Sequence, residues 1–301
     1  MKRILFTLLL LCVVGFIACR KSGTEPDIKQ YDQQQIQAYI AANNITGMQT
    51  DLTDTTGTYY AKINPGNPLY PVDYPSHIAY VYSLRSFDGK YISIDTVLNH
   101  FDGYLGHVGP NGLMLAIRNI LKYKGAQARL LIPSHLAYGV SGVGSGSKTV
   151  TNGRIAGNQC LDYTINLIQD QNVYDDLVIK KYMATYGLTG YTETADGLYY
   201  KINAAGSGAS INDNSSVAAN YSLRLMNNSY ADSTYATTAY TFSDLKALTT
   251  GFYEGLKMVK NAGNISLLVP SRLAYGEAGS SGIPSDACLR FEIYNIVVTN
   301  Y

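Results

Sequence analysis

Residues 133–139 read Pro-Ser-His-Leu-Ala-Tyr-Gly, and residues 270–276 read Pro-Ser-Arg-Leu-Ala-Tyr-Gly. Six of the seven positions agree, and each copy follows an apolar run, Leu130-Leu131-Ile132 or Leu267-Leu268-Val269. A phrase of this length used twice implies that one structural unit has been copied. A chain of 301 residues has room for two units, each large enough to bury its own core.

The correspondence continues outward from the phrase. Each copy opens with a short helix. In the second, Asn172 is placed as the cap, Asp175 and Asp176 in the first turn, Lys180 and Lys181 towards the end, and Gly187 beyond it. Tyr174, Val178 and Tyr182 share one face, as Ile36, Tyr39 and Ile40 do in the first helix. Gly57–Asn64 and Gly197–Asn203 then read as matching strands. Strict alternation follows at Val217, Ala219, Tyr221, Leu223 and Leu225, and at Ile78, Tyr80, Tyr82 and Leu84, which predicts half-buried strands. A helix precedes each phrase. In the second copy Phe252, Leu256 and Val259 form its stripe and Gly263 ends it. The last strands carry Leu161, Tyr163 and Ile165, and Leu289, Phe291 and Ile293. The expected class is α+β, with each unit an antiparallel sheet curled around a short helix.

The N-terminus reads as a targeting segment. Lys2 and Arg3 precede the apolar stretch Ile4–Ile17, which is short for a membrane span and suits a signal peptide. The ending Gly15-Phe16-Ile17-Ala18-Cys19 resembles the cleavage box of bacterial lipoproteins. That resemblance implies cleavage before Cys19, acylation of Cys19, and membrane attachment through several acyl chains. The boundaries expected are a signal at 1–18, a tether at 19–30, a first unit at 31–171 and a second at 172–301. Cys160 and Cys288 occupy matching places in the two copies, so they are expected to be separate, buried thiols rather than a disulfide. With 23 basic and 22 acidic side chains and no basic run, nothing suggests a nucleic-acid partner. The 27 Tyr and absent Trp suit half-buried strand faces and amphipathic grooves.

Both units resemble the FKBP-type peptidyl-prolyl cis-trans isomerase domain, here as a tandem pair in a bacterial lipoprotein. The second unit carries the ordered set. Tyr221 lies on a strand, and Ala231-Asp232-Ser233-Thr234 stands at the family's Phe-Asp-Ser-Ser phrase. Tyr240 and Phe242 match an aromatic pair. Leu248, Thr249, Gly251 and Phe252 match the helix entry. Leu273-Ala274-Tyr275-Gly276, Ile283-Pro284 and Phe291 complete it. The resemblance covers most of residues 191–301. It implies that Tyr221, Phe242, Phe252 and Phe291 line a pocket. Tyr275 and the Ile283 N–H would hold substrate carbonyls, and Asp232 would sit beside the rotating amide. Tyr240, Leu248 and Thr249 would contribute to substrate binding.

Prolyl peptide rotation faces a barrier of roughly 18–20 kcal/mol set by amide resonance. A dry pocket that favours the twisted amide needs no nucleophile or general base, and the resemblance implies no cofactor and no metal. It further implies proline-containing polypeptide clients, a location in the cell envelope, and a pocket open to macrolide inhibitors. Lowering the barrier by ~4–7 kcal/mol would accelerate exchange ~10³- to 10⁵-fold.

Several departures weaken the expected activity. Phe252 replaces the family's Trp, and Ala231 replaces a Phe wall. In the first unit Leu113 takes the floor position and Ile155-Ala156 replaces Ile-Pro. Asp95 is the candidate partner for Asp232, and the loop from Gly139 to Ile155 is enlarged. The first unit is therefore expected to have little activity. The competing reading is a non-catalytic binding or chaperone module of the envelope, with the enlarged loop as its client contact. Gly142–Thr149 superficially matches a phosphate loop, but Ser147 stands where Gly must precede the Lys, so it reads as a mobile surface loop. His77, His100, His107 and His135 match no zinc spacing.

Overall fold

The computed structural model describes residues 27–50, 56–147, 151–234 and 238–301. The signal segment and Cys19 lie outside the described residues. Helix α1 spans Ile28–Ala42, so the last three residues assigned to the tether are already helical. The first sheet contains β1 (Gln49–Thr50), β2 (Tyr59–Pro65), β3 (His77–Ser86), β4 (Ile92–Ser93) and β5 (His100–Tyr104). Helix α2 (Asn111–Ala116), β6 (Ala126–Ile132) and β7 (Leu161–Ile168) follow. After α3 (Gln171–Thr185) come β8 (Thr192–Glu193), β9 (Tyr199–Ala204), β10 (Ser215–Leu225), β11 (Tyr230–Ser233) and β12 (Tyr240–Phe242). Helix α4 (Thr250–Leu256), β13 (Asn264–Val269) and β14 (Leu289–Asn300) complete the second set.

The first sheet is ordered β1-β2-β6-β7-β3-β4 with β5 on β3. The second is β8-β9-β13-β14-β10-β11 with β12 on β10. Element for element the topologies coincide, and every described pairing is antiparallel. The α+β class and the duplication therefore hold.

Both faces of each sheet are covered, which explains the unbroken apolar runs before the repeated phrase. Leu267 and Val269 join Phe252, Leu256 and Phe291 on one face, while Leu268 faces Ile179, Tyr182 and Cys288 on the other. In the first unit Leu130 and Ile132 pack with Leu113, and Leu131 packs with Ile36 and Cys160. A strand buried on both sides needs no polar alternation. The helix on the inner face approaches closely. A Cβ on Gly251 would meet Val269 Cγ1 at 2.5 Å, and one on Gly112 would meet Ile132 Cγ2 at the same distance. These matched glycines place Leu113 and Phe252 at equivalent positions.

Three local expectations change. The cap of α3 is Asp170, whose carboxylate accepts from the Asn172 and Val173 N–H groups, so Asp175 and Asp176 lie beyond the first turn. The fully buried positions of α3 are Asp175, Ile179 and Tyr182, while Val178 is partly buried against the same cluster and Tyr174 is half-buried. Helix α4 ends at Leu256, and Val259 joins the core from the turn beyond it. Cys160 and Cys288 are buried and unpaired.

Candidate active site

The site begins with two neighbouring antiparallel strands. Tyr221 lies on β10, and β11 runs beside it with Asp232 opposite Leu223. This offset brings the Tyr221 hydroxyl to Asp232 Oδ2 at 2.5 Å. Thr234 fixes the strand end, its N–H donating to the Tyr221 carbonyl at 3.0 Å and its Oγ1 accepting from the Tyr221 N–H at 2.9 Å. Partial burial, then the hydrogen bond to Asp232 and its charge, push the Tyr221 phenol well above its ordinary range. The hydroxyl is thus held protonated, as a donor.

Four rings converge around it. Phe252 stands edge-on to Phe291 at 4.8 Å between centroids and to Tyr221 at 6.2 Å. Phe242 lies 5.2 Å from Phe252 and 5.8 Å from Tyr221. Tilted and edge-to-face contacts in this range are favourable. The four residues named from the sequence as pocket lining therefore meet. Tyr240 touches Phe242 at 4.8 Å but is mostly exposed, at the rim. Leu248 packs against the core beneath. Thr249 caps α4 through its carbonyl, which accepts from the Tyr253 N–H.

Tyr275 is the Tyr of the repeated phrase, and Ile283 lies on the segment after it. Tyr275 is 39% exposed, so its hydroxyl is reachable from solvent. The Ile283 N–H does not stand free, because it donates to the Ser280 carbonyl at 2.9 Å and the Ser280 N–H donates back. A substrate carbonyl would have to displace that internal bond. The Ile283 side chain is buried in the core.

The conserved spacing inside the repeated phrase has a cause that the sequence reading missed. Asp175 on α3 accepts from both the N–H and the Oγ of Ser271, at 2.8 and 2.7 Å. Asp32 on α1 accepts from Ser134 Oγ at 2.7 Å and the His135 N–H at 3.1 Å. Each carboxylate is buried and sits beside the matching Cys, Cys160 Sγ lying 3.6 Å from Asp32 Oδ1. Burial pushes the Cys160 thiol up to about 12, so it is inert. The Ser of each phrase is an anchor that positions the Tyr four residues later. The signal was available as Tyr-Asp-x-x-x-Ile-x-x-Tyr, at Tyr31–Tyr39 and again at Tyr174–Tyr182.

The first unit builds its pocket differently. Register places Ser93, not Asp95, opposite Leu84, where Asp232 lies opposite Leu223. Asp95 instead caps its own turn through the Val97 N–H and accepts from Asn227 of the second unit at 2.6 Å. Strand pairing sets Gly103 against Ile78 where Phe242 faces Val217, and Tyr163 against Leu84 where Phe291 faces Leu223. What results is a cavity of about 460 Å³ walled by Tyr80, Tyr82, Tyr138 and Tyr163 over Leu113. Burial raises all four phenols above their ordinary range. The enlarged loop covers this cavity and is paired rather than loose over its described residues. Val143 and Ile155 form a bridge, Gly146 donates to Gly153, and Arg154 donates to the Ser141 carbonyl.

Comparison with known proteins finds relatives for the second unit. The sequence pattern of the FKBP-type peptidyl-prolyl cis-trans isomerase family matches residues 208–294. The chain is 34% identical over 120 residues to the FKBP-type peptidyl-prolyl cis-trans isomerase FkpA of Buchnera aphidicola, covering 40% of this chain and 50% of that protein. It is 36% identical over 102 residues to the peptidyl-prolyl cis-trans isomerase Mip of Coxiella burnetii, covering 33% of this chain and 44% of that protein. The chain thus spans half or less of these relatives. The crystal structure of FkpA from Escherichia coli aligns at 30% identity with a TM-score of 0.39, over 43% of this chain and 61% of that one. The ring cluster around Tyr221 and Phe252 lies within the matched segment, and the second unit is a domain of the FKBP-type peptidyl-prolyl cis-trans isomerase family.

Proposed function

We propose that the second unit catalyses cis-trans isomerisation of prolyl peptide bonds in polypeptide clients. The observation that carries this reading is the convergence of Phe242, Phe252 and Phe291 around a Tyr221 hydroxyl held by Asp232. The apolar rings desolvate the prolyl ring, and the twisted amide, with less charge separation than the planar one, loses less on leaving water. Asp232 orients Tyr221 so that its hydroxyl and the ring edges are fixed before substrate arrives, a preorganised environment that costs no rearrangement during rotation. Tyr275, exposed beside them, supplies a hydroxyl for a substrate carbonyl. Tyr240, Leu248 and Thr249 border the entry. The Ile283 N–H becomes a donor to substrate only if its bond to Ser280 opens. No proton leaves substrate and no covalent bond forms, which suits a site without a nucleophile.

The same reading extends to the whole chain. The acylated Cys19 would hold the protein at a membrane of the cell envelope, where exported clients fold, and macrolide inhibitors would compete for the ring cluster. The first unit, with Leu113, Gly103 and Ser93 in place of Phe252, Phe242 and Asp232, would bind segments without accelerating them. That second, non-catalytic role is favoured by its tyrosine-walled cavity and the paired loop above it.

The test is a proline-limited refolding assay on the full chain, with Phe252→Ala as the comparison. Acceleration that falls to the uncatalysed rate in the variant is expected. No acceleration by the folded wild-type chain, or equal acceleration by the variant, overturns the reading.

A further inference from the structure

Two histidines and three carboxylates gather where the units touch, away from the ring cluster. On the first sheet, His77 lies on β3 opposite Tyr104, two residues along β5 from Asp102. His100, Asp102 and Tyr104 alternate along β5 and share its face. His77 Nδ1 lies 3.1 Å from Asp102 Oδ1. The second unit brings Glu277, whose Oε2 is 3.9 Å from His77 Nε2, and Asp286, whose Oδ2 is 3.7 Å from His100 Nε2. One donor atom from each of His77, Asp102 and Glu277 falls within 4.8 Å of the others.

The buried side of this group is unsatisfied. The side chains of His100 and Asp286 are each 4% exposed, and that of Asp102 is 9% exposed. Yet His100 Nε2, Asp102 Oδ1 and Asp286 Oδ2 have no hydrogen-bond partner. Buried polar atoms without partners are uncommon and call for a reason, of which an unseen ion is one. Here three of them belong to one contiguous set of metal-ligating side chains.

We propose that a Zn²⁺ ion binds between the two units, held by His77, Asp102 and Glu277, with the buried Asp286 and His100 beside these ligands rather than on the ion. Mixed imidazole and carboxylate donors suit Zn²⁺ better than Ca²⁺ or Mg²⁺, which favour oxygen alone. The ligands come from both copies, so the ion ties the units together. Glu277 follows Tyr275 by two residues, and the Asp286 N–H donates to the Gly276 carbonyl at 2.9 Å. Through Glu277 the ion therefore anchors the segment that follows Tyr275 and carries Ile283.

Isothermal titration of the full chain with Zn²⁺, and separately with Ca²⁺, tests this. The expected result is one saturable Zn²⁺ site per chain and no comparable Ca²⁺ binding. Glu277→Gln and His77→Ala should each weaken Zn²⁺ binding by about tenfold or more, and His107→Ala should not. The Glu277 side chain is 72% exposed, so its substitution does not act through misfolding. Absence of saturable Zn²⁺ binding overturns the proposal. So does Ca²⁺ binding as tight as Zn²⁺, or Zn²⁺ affinity unchanged in both ligand variants.

Discussion

The two halves of this chain share one topology and one anchoring device but build different pockets on them. In the second, β10 and β11 set Tyr221 against Asp232, and three phenylalanines close around the ring. In the first, the same register sets Ser93 where Asp232 would be, and the Ser93 hydroxyl donates to Asn99 instead. The following turn leans on the other unit, with Val97 packed against the second core and Asp95 bonded to Asn227. The contrast separates what holds the fold from what shapes the site. Backbone pairing and the buried Asp–Ser anchor persist in both copies, while the ring positions above them have changed freely.

The largest effects should come from the shared anchor. Asp175→Ala leaves the Ser271 N–H and hydroxyl buried without an acceptor, and Asp32→Ala does the same to the Ser134 hydroxyl and the His135 N–H. Each orphaned group costs about 1–3 kcal/mol, so a loss of about 3 kcal/mol is expected in each unit. Urea unfolding at pH 7 measures it. Asp175→Asn should cost less, because the amide oxygen still accepts. Burial is the largest influence on Asp175 and raises its carboxyl above the ordinary value. The folded state then binds the proton more readily than the unfolded one, so wild type should gain stability over Asp175→Asn as pH falls from 7 towards 4. Equal stability of the Ala variant and wild type would break the claim that both copies depend on this anchor.

The next effect probes the rings directly. Phe252→Leu gives the second pocket the floor of the first. If the site works by desolvation, as proposed, losing its aromatic floor should lower kcat/KM for a prolyl peptide by roughly 30-fold, about 2 kcal/mol of transition-state stabilisation. The reciprocal Leu113→Phe should produce no activity, since Gly103 and Ser93 still stand where Phe242 and Asp232 do in the second copy. Phe252→Trp, restoring the larger ring, should raise the rate. If Leu113→Phe alone confers activity, the floor residue is sufficient and the rest of the contrast is irrelevant to rate.

Much of this was readable before any coordinates, for a physical reason. Strand alternation, apolar runs and the order of Tyr221, Phe242, Phe252 and Phe291 are local patterns, and the antiparallel pairing turns them into neighbours. What escaped depends on contacts distant in sequence. Asp32 and Ser134 are 102 residues apart, and Asp175 and Ser271 are 96 apart, so the repeated helix spacing marks each Asp but not the Ser it bonds. Asp95 looked like the counterpart of Asp232 because a linear count cannot see that β4 is short and that register assigns Ser93 to the place. The Ile283 N–H escaped for a different reason, since its partner Ser280 is only three residues away and the geometry of the turn sets the bond. The histidine spacings matched no zinc pattern because the donors that surround His77 and His100 come from two units.

The smallest effect is also the most specific to the second copy. Tyr221→Phe keeps the ring and its contacts to Phe242 and Phe252 but removes the hydroxyl that reaches Asp232. A hydrogen bond to a charged group contributes about 1.5–3 kcal/mol, but Asp232 is exposed and water replaces much of the loss. About a fivefold fall in kcat/KM, close to 1 kcal/mol, is expected. Asp232→Ala should give a similar fall, and the double variant little more than either alone, because both remove the same contact. Additive losses would mean that Tyr221 and Asp232 act separately, and the pairing seen between them would not be what distinguishes the two pockets. The parallel variant Tyr82→Phe in the first unit tests the other side. With Ser93 in place of the carboxylate, its phenol has no charged acceptor to lose, so client affinity of that unit should stay within about twofold of wild type.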